Sequence, residues 1–63
     1  MNRYHVAAIE AEGQARRLRF ASQCHNEEGN LVSAEFTAKL ANDREGDARH
    51  FRAAAKIQLE VAA

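Results

Sequence analysis

The sequence predicts an all-α fold, an antiparallel helical hairpin, and three observations carry that prediction. There is no proline in 63 residues, and Ala, Glu, Arg, Gln and Leu dominate; these are strong helix formers. The β-branched residues (Val6, Ile9, Val32, Thr37, Ile57, Val61) are few and nowhere alternate over a strand length. One stretch, "HNEEGN" from His25 to Asn30, breaks the helical pattern near the middle of the chain.

Helix 1 is expected over about Arg3–Asn26. Its small-residue stripe (Tyr4, Ala8, Ala11, Ala15, Leu18, Ser22) repeats every three or four residues, as one helix face does. A second stripe (Val6, Ile9, Gly13, Phe20, Cys24) lies nearly opposite. A helix apolar on two sides is usually covered on two sides. The small stripe admits a close neighbour, and the larger one suits something else, such as a second copy.

The turn is expected at about residues 27–30. Gly29 can take positive φ at a helix C-terminus, and Asn30 can cap the helix that follows. So short a connection joins antiparallel neighbours.

Helix 2 is expected over about Leu31–Ala62. Within it, "NDREGDARH" raises a conflict. Asn42-x-x-Glu45 resembles a capping box, and Gly46 costs about 1 kcal/mol relative to Ala inside a helix. Both favour a kink or break at 42–46, which would give three helices. Against that, Phe36, Leu40, Asp43, Asp47, His50, Ala54, Ile57 and Val61 hold 4-3-4-3-4-3-4 spacing throughout. A loop would normally shift that register, so the phase favours one continuous helix. Taken as the seam, this stripe puts Phe36 near Phe20 and Ala21, Leu40 near Leu18, and Asp43 near Arg16 and Arg17. Helix 2 also outruns helix 1, leaving Ile57, Leu59 and Val61 uncovered within one hairpin.

A chain this short has a poor surface-to-volume ratio and usually needs outside help to fold. Cys24 is the only cysteine, so no disulfide forms within the chain, and a lone thiol suits a reducing compartment. The soft metal ligands Cys24, His5, His25 and His50 have no paired spacing. Dimerisation into a four-helix bundle is therefore the expected way to complete the core. No stretch resembles a signal peptide or approaches the length of a membrane span, so a cytoplasmic chain is expected.

The net charge is zero but uneven. Residues 1–26 carry four cations (Arg3, Arg16, Arg17, Arg19) and two anions (Glu10, Glu12); residues 27–63 carry five cations and seven anions. Weakly complementary halves suit self-association better than broad nucleic-acid binding, which wants a strongly basic domain.

Few residues suggest chemistry. Asp43, Asp47 and His50 share one helix face and offer two carboxylates and an imidazole, as a metal would need. The plainer readings are a polar layer in a bundle seam, which sets register, or exposure to solvent. Cys24 and His25 are adjacent, so their side chains point about 100° apart, which does not make a nucleophile pair. No Walker, GxSxG or HExxH motif occurs. No enzymatic activity and no cofactor are expected.

The strongest local surface feature is "ARRLRF", Ala15 to Phe20. Arg16, Arg17 and Arg19 could grip phosphates or a partner's carboxylates. Three arginines are few for nucleic acid, where affinity scales with the phosphates neutralised; a dimer would double them. The length and the hairpin pattern resemble the plasmid-encoded repressor of primer family. That resemblance implies a dimeric four-helix bundle that binds RNA hairpins through polar and basic residues of one helix pair. The profile also resembles small accessory proteins of phages and mobile elements that act by occluding a host protein.

The expectation from sequence is a non-enzymatic hairpin that binds another protein and inhibits or adapts it by occlusion. Phe51, Ile57, Leu59 and Val61 would anchor it, and Arg16, Arg17 and Arg19 would give charge selectivity. The alternative is an RNA- or DNA-binding dimer using the same arginines.

Overall fold

The structure is a computed structural model that describes residues 2–62, with side chains described for 2–61. It holds two helices, α1 (Arg3–Glu27) and α2 (Leu31–Ala62), packed antiparallel. The Cα trace spans 52 × 15 × 9 Å, the proportions of a rod two helices wide. No helix is long and apolar enough to cross a membrane among the described residues.

Both ends of α1 and the start of α2 are closed by named polar groups. Asn2 caps α1, its Oδ1 accepting from the Tyr4 N–H at 2.8 Å. The same side chain's Nδ2 donates to the Ala55 carbonyl at 3.3 Å, which ties the start of α1 to α2. At the other end, Gly29 turns the chain with φ 81°. The Gly29 N–H donates to the Asn26 carbonyl (3.0 Å) and the Asn30 N–H to the His25 carbonyl (2.8 Å). These are the two bonds of a Schellman closure, which satisfies carbonyls that the helix leaves open. Asn30 then caps α2, its Oδ1 accepting from the Ser33 N–H at 3.3 Å.

α2 passes through Asn42–Gly46 without a break. Gly46 is helical, and a Cβ placed there would meet only the Arg49 guanidinium, at 3.7 Å.

The seam is made of small residues. Ala8, Ala11, Ala15 and Ser22 of α1 and Ala34, Thr37, Ala41, Ala48 and Ala55 of α2 are buried. Ala8, Ala15 and Ser22 recur every seventh residue, as do Ala34, Ala41, Ala48 and Ala55. That period keeps one narrow stripe facing a neighbouring helix along its whole length. Ser22 Oγ donates to the Ala34 carbonyl at 2.7 Å and fixes the register. Reflected through that bond, Ala15 faces Ala41 and Ala8 faces Ala48.

This corrects the seam expected for α2. The stripe from Phe36 to Val61 is not the contact with α1: Phe36 is 64% exposed, Leu40 38% and Ile57 60%. It lies about 100° around the helix from the alanine stripe, as one residue of offset requires. Alanines opposite one another let two backbones approach far more closely than Phe or Leu would. The Ser22 hydroxyl can reach a backbone carbonyl on the other helix only at such an approach.

Candidate protein-interaction surfaces

With alanine at the seam, the large apolar side chains have nowhere to go but outward. The chain has twelve Val, Ile, Leu and Phe residues. Ten of them are exposed, from Val6 at 37% to Val32 at 82%. Only Leu18 and Phe51 are half-buried. Scattered apolar residues on a surface are ordinary, but contiguous ones mark contact sites.

Helical phase sorts the surface into three regions. One flank of the hairpin is polar and closed by ion pairs. There Arg19 Nε donates to Glu45 at 2.6 Å and Arg19 Nη2 to Asn42 Oδ1 at 2.5 Å. Arg52 pairs with Glu12 on the same flank. The hydrogen bond from Arg19 holds the Glu45 carboxyl below its ordinary range, and the neighbouring charges of Arg19 and Arg49 add to it. The same bond makes Arg19 hold its proton more tightly than usual. These pairs are exposed, so they orient the helices more than they stabilise them.

The second region is the outer side of α1, which carries Val6, Ile9, Gly13 and Phe20. Phe20 is 69% exposed and lines a shallow groove with Arg16, Gln23 and Glu12 that runs across to the Arg19–Glu45 pair of the polar flank. Arg16 and Arg17 are exposed and make no ion pair among the described residues. The third region is the α2 stripe from Phe36 to Val61, which ends in the overhang beyond the start of α1.

Several expected placements change. Asp43, Asp47 and His50 form no polar layer between α1 and α2. Asp43 and His50 are exposed, and Asp47 is half-buried and pairs with Arg44 at 3.4 Å on its own helix. The seam they were expected to join is the alanine stripe, whose polar members are no larger than Ser22 and Thr37. Asp43 does not meet Arg16 or Arg17; the arginine that crosses to α2 is Arg19, and its acceptors are Glu45 and Asn42. Phe20 and Phe36 are surface residues, not core. Among the described residues no three His, Cys, Asp or Glu side chains gather as metal ligands.

The expected partner-binding residues do not form one patch. Ile57, Leu59 and Val61 are exposed at the overhang; Ile57 and Val61 share one side of α2 and line a shallow groove with Arg3 and Tyr4, and Leu59 points to another side. Arg16 lies opposite Ala41 or its neighbours, roughly 24 Å along the axis from Ile57. Phe51 is half-buried beside the seam. Phe20 and Arg16 do stand together, lining one groove, and Ile9 lies on the same side of α1 about 16 Å along the axis. "ARRLRF" pointed to this region through its charge, and the exposed Phe20 is its apolar half.

No family model matches the chain, and neither a curated protein nor a solved structure matches it.

Proposed function

We propose that this hairpin is a non-catalytic protein-interaction module that acts by occlusion. Its outer α1 face, Ile9 and Phe20 flanked by Arg16 and Arg17, docks on an acidic, amphipathic segment of another protein. One observation carries this reading: the two helices bury alanine, serine and threonine against each other and keep their large apolar side chains outside. Buried aromatic anchors with nearby arginines typically supply most of the energy of a protein contact. The neighbouring cations favour a partner with carboxylates over one that is apolar alone.

The pairing of Arg19 with Glu45 weighs against the nucleic-acid alternative. It leaves Arg16 and Arg17 for phosphates, and adjacent helical residues point about 100° apart. Two such charges give a weak electrostatic footing on a nucleic acid.

The test compares material held by the immobilised chain with that held by two variants, Phe20→Asp and Arg16→Ala with Arg17→Ala. The expected result is a protein that Phe20→Asp loses and that survives nuclease and high salt. Bound material that is nucleic acid, is lost at high salt and is indifferent to Phe20→Asp would overturn the proposal.

A further inference from the structure

The Phe36–Val61 stripe of α2 has a symmetry that the hairpin itself does not use. Its 4-3-4-3-4-3-4 spacing reads the same in both directions, with its centre between Ala48 and Arg49. We propose that this stripe is a face for a second copy of the chain. Two α2 helices pack antiparallel about a two-fold axis at that centre, and Asp47 of each faces the partner's His50.

The residues at mirror-related positions are complementary. Leu40 meets the partner's Ile57, and Phe36 meets the partner's Val61. All four positions are exposed in the single hairpin, at 38% to 81%. At the centre the carboxylate of Asp47 accepts from the imidazole N–H of the partner's His50, and the axis repeats the bond. Asp47 keeps its own-helix pair with Arg44 on the other side. Asp43 meets the small partner's Ala54, so no like charges oppose each other along the stripe. On one edge Lys39 falls beside the partner's Glu60, and the helical Gly46 falls beside the partner's Ala53, which permits close approach.

The arrangement also deals with the overhang. α1 begins at Arg3, which lies beside Ala54, so among the described residues α2 beyond Ala55 is flanked by its own chain only at Arg3 and Tyr4, which share a shallow groove with Ile57 and Val61. In the antiparallel pair, Ile57 and Val61 rest on the N-terminal half of the partner helix. A self-complementary patch is what a two-fold contact requires, and a single polar layer among apolar ones sets its register. The dimer uses α2 and leaves the outer face of α1 open, so it stands or falls separately from the foreign-partner reading.

Sedimentation equilibrium of the full chain tests the proposal. The wild type is expected to be dimeric, and Leu40→Asp or Ile57→Asp to weaken the dimer by about tenfold or more. Circular dichroism at high concentration checks that each variant is helical. Asp47→Lys changes an accessible position, so it probes the contact without touching the seam. It is expected to weaken the dimer, and adding His50→Glu to restore most of the loss, because the new Lys and Glu can pair across the axis. Phe20→Asp is expected to leave the dimer unchanged. A monomeric wild type, a Leu40→Asp chain that dimerises normally, or a double variant no tighter than Asp47→Lys would each overturn it. So would a dimer that Phe20→Asp breaks.

Discussion

Ala41→Leu probes the alanine seam directly. Ala41 is 0% exposed and faces Ala15, which is 3% exposed, in the middle of the α1–α2 contact. By helix propensity alone the change is nearly neutral. By hydrophobic transfer alone it would stabilise, since a leucine buries more apolar surface than an alanine. The structure decides against both, because the space between the helices is already filled by the Ala15 methyl and the two backbones. Three added carbons force the helices apart or the side chain off its rotamer, which typically costs about 1–3 kcal/mol. Spreading the helices also stretches the bond from Ser22 to the Ala34 carbonyl. The assay is urea unfolding followed by far-UV circular dichroism, with Gln23→Leu as a control that places the same leucine at an exposed helical position. The control is expected to stay within about 0.5 kcal/mol of the wild type. An Ala41→Leu chain as stable as the wild type, or more so, would refute the close seam.

Two further predictions concern backbone and pH. Gly13 and Gly29 are expected to respond oppositely to alanine. At Gly13 the new Cβ meets only the ends of the Arg17 and Arg16 side chains, at 3.6 and 3.9 Å, so Gly13→Ala gains up to about 1 kcal/mol from helix propensity. Gly29 holds φ 81°, so Gly29→Ala costs about 1–2 kcal/mol for placing an L side chain there; thermal unfolding of the two variants reads both signs. Glu45 titrates below its ordinary range because Arg19 donates to it, so the unfolded chain binds that proton more readily than the folded one. Its contribution is therefore complete above the unfolded value of about 4.3 and is lost as pH falls through the lower, folded value. Glu45→Gln is expected to flatten the fall in stability between about pH 5 and pH 3, read by urea unfolding at several pH values; a slope equal to that of the wild type would contradict it.

The helical hairpin is legible because its signals are local. Gly29 and Asn30 are the residue types that a Schellman closure and an N-cap require, and they stand next to each other. The small stripe of α1 is legible too, since Ala8, Ala11, Ala15 and Ser22 fall in one register with Tyr4 and Leu18 as its only larger members. The face of α2 is less so. Two stripes of equal period run along it, one with Phe36, Leu40 and Ile57 and one with Ala34, Ala41, Ala48 and Ala55. Any weighting by hydrophobicity favours the first, yet the inter-helix contact uses the second. The available signal is that both arms carry small residues at seven-residue intervals in matching register. The misplaced seam then rotates everything that depends on it. Arg19 and Glu45 flank the alanine stripes and meet, whereas Arg16 and Asp43 flank a contact that α1 does not make. Partner surfaces follow the same logic: the overhang of Ile57, Leu59 and Val61 is visible from the lengths of the two arms, but the groove that Ile57 and Val61 share with Arg3 and Tyr4 appears only in three dimensions.

One hairpin leaves ten of its twelve Val, Ile, Leu and Phe side chains exposed, and covering them with something else is expected to add stability. Thermal unfolding followed by circular dichroism, over about a hundredfold range of chain concentration, tests it most directly. A strongly helical signal is expected, with a midpoint that rises with concentration, as mass action requires of a chain that covers itself with a second copy. A sharp, cooperative transition with the same midpoint at every concentration would contradict it, because the alanine seam would then suffice alone.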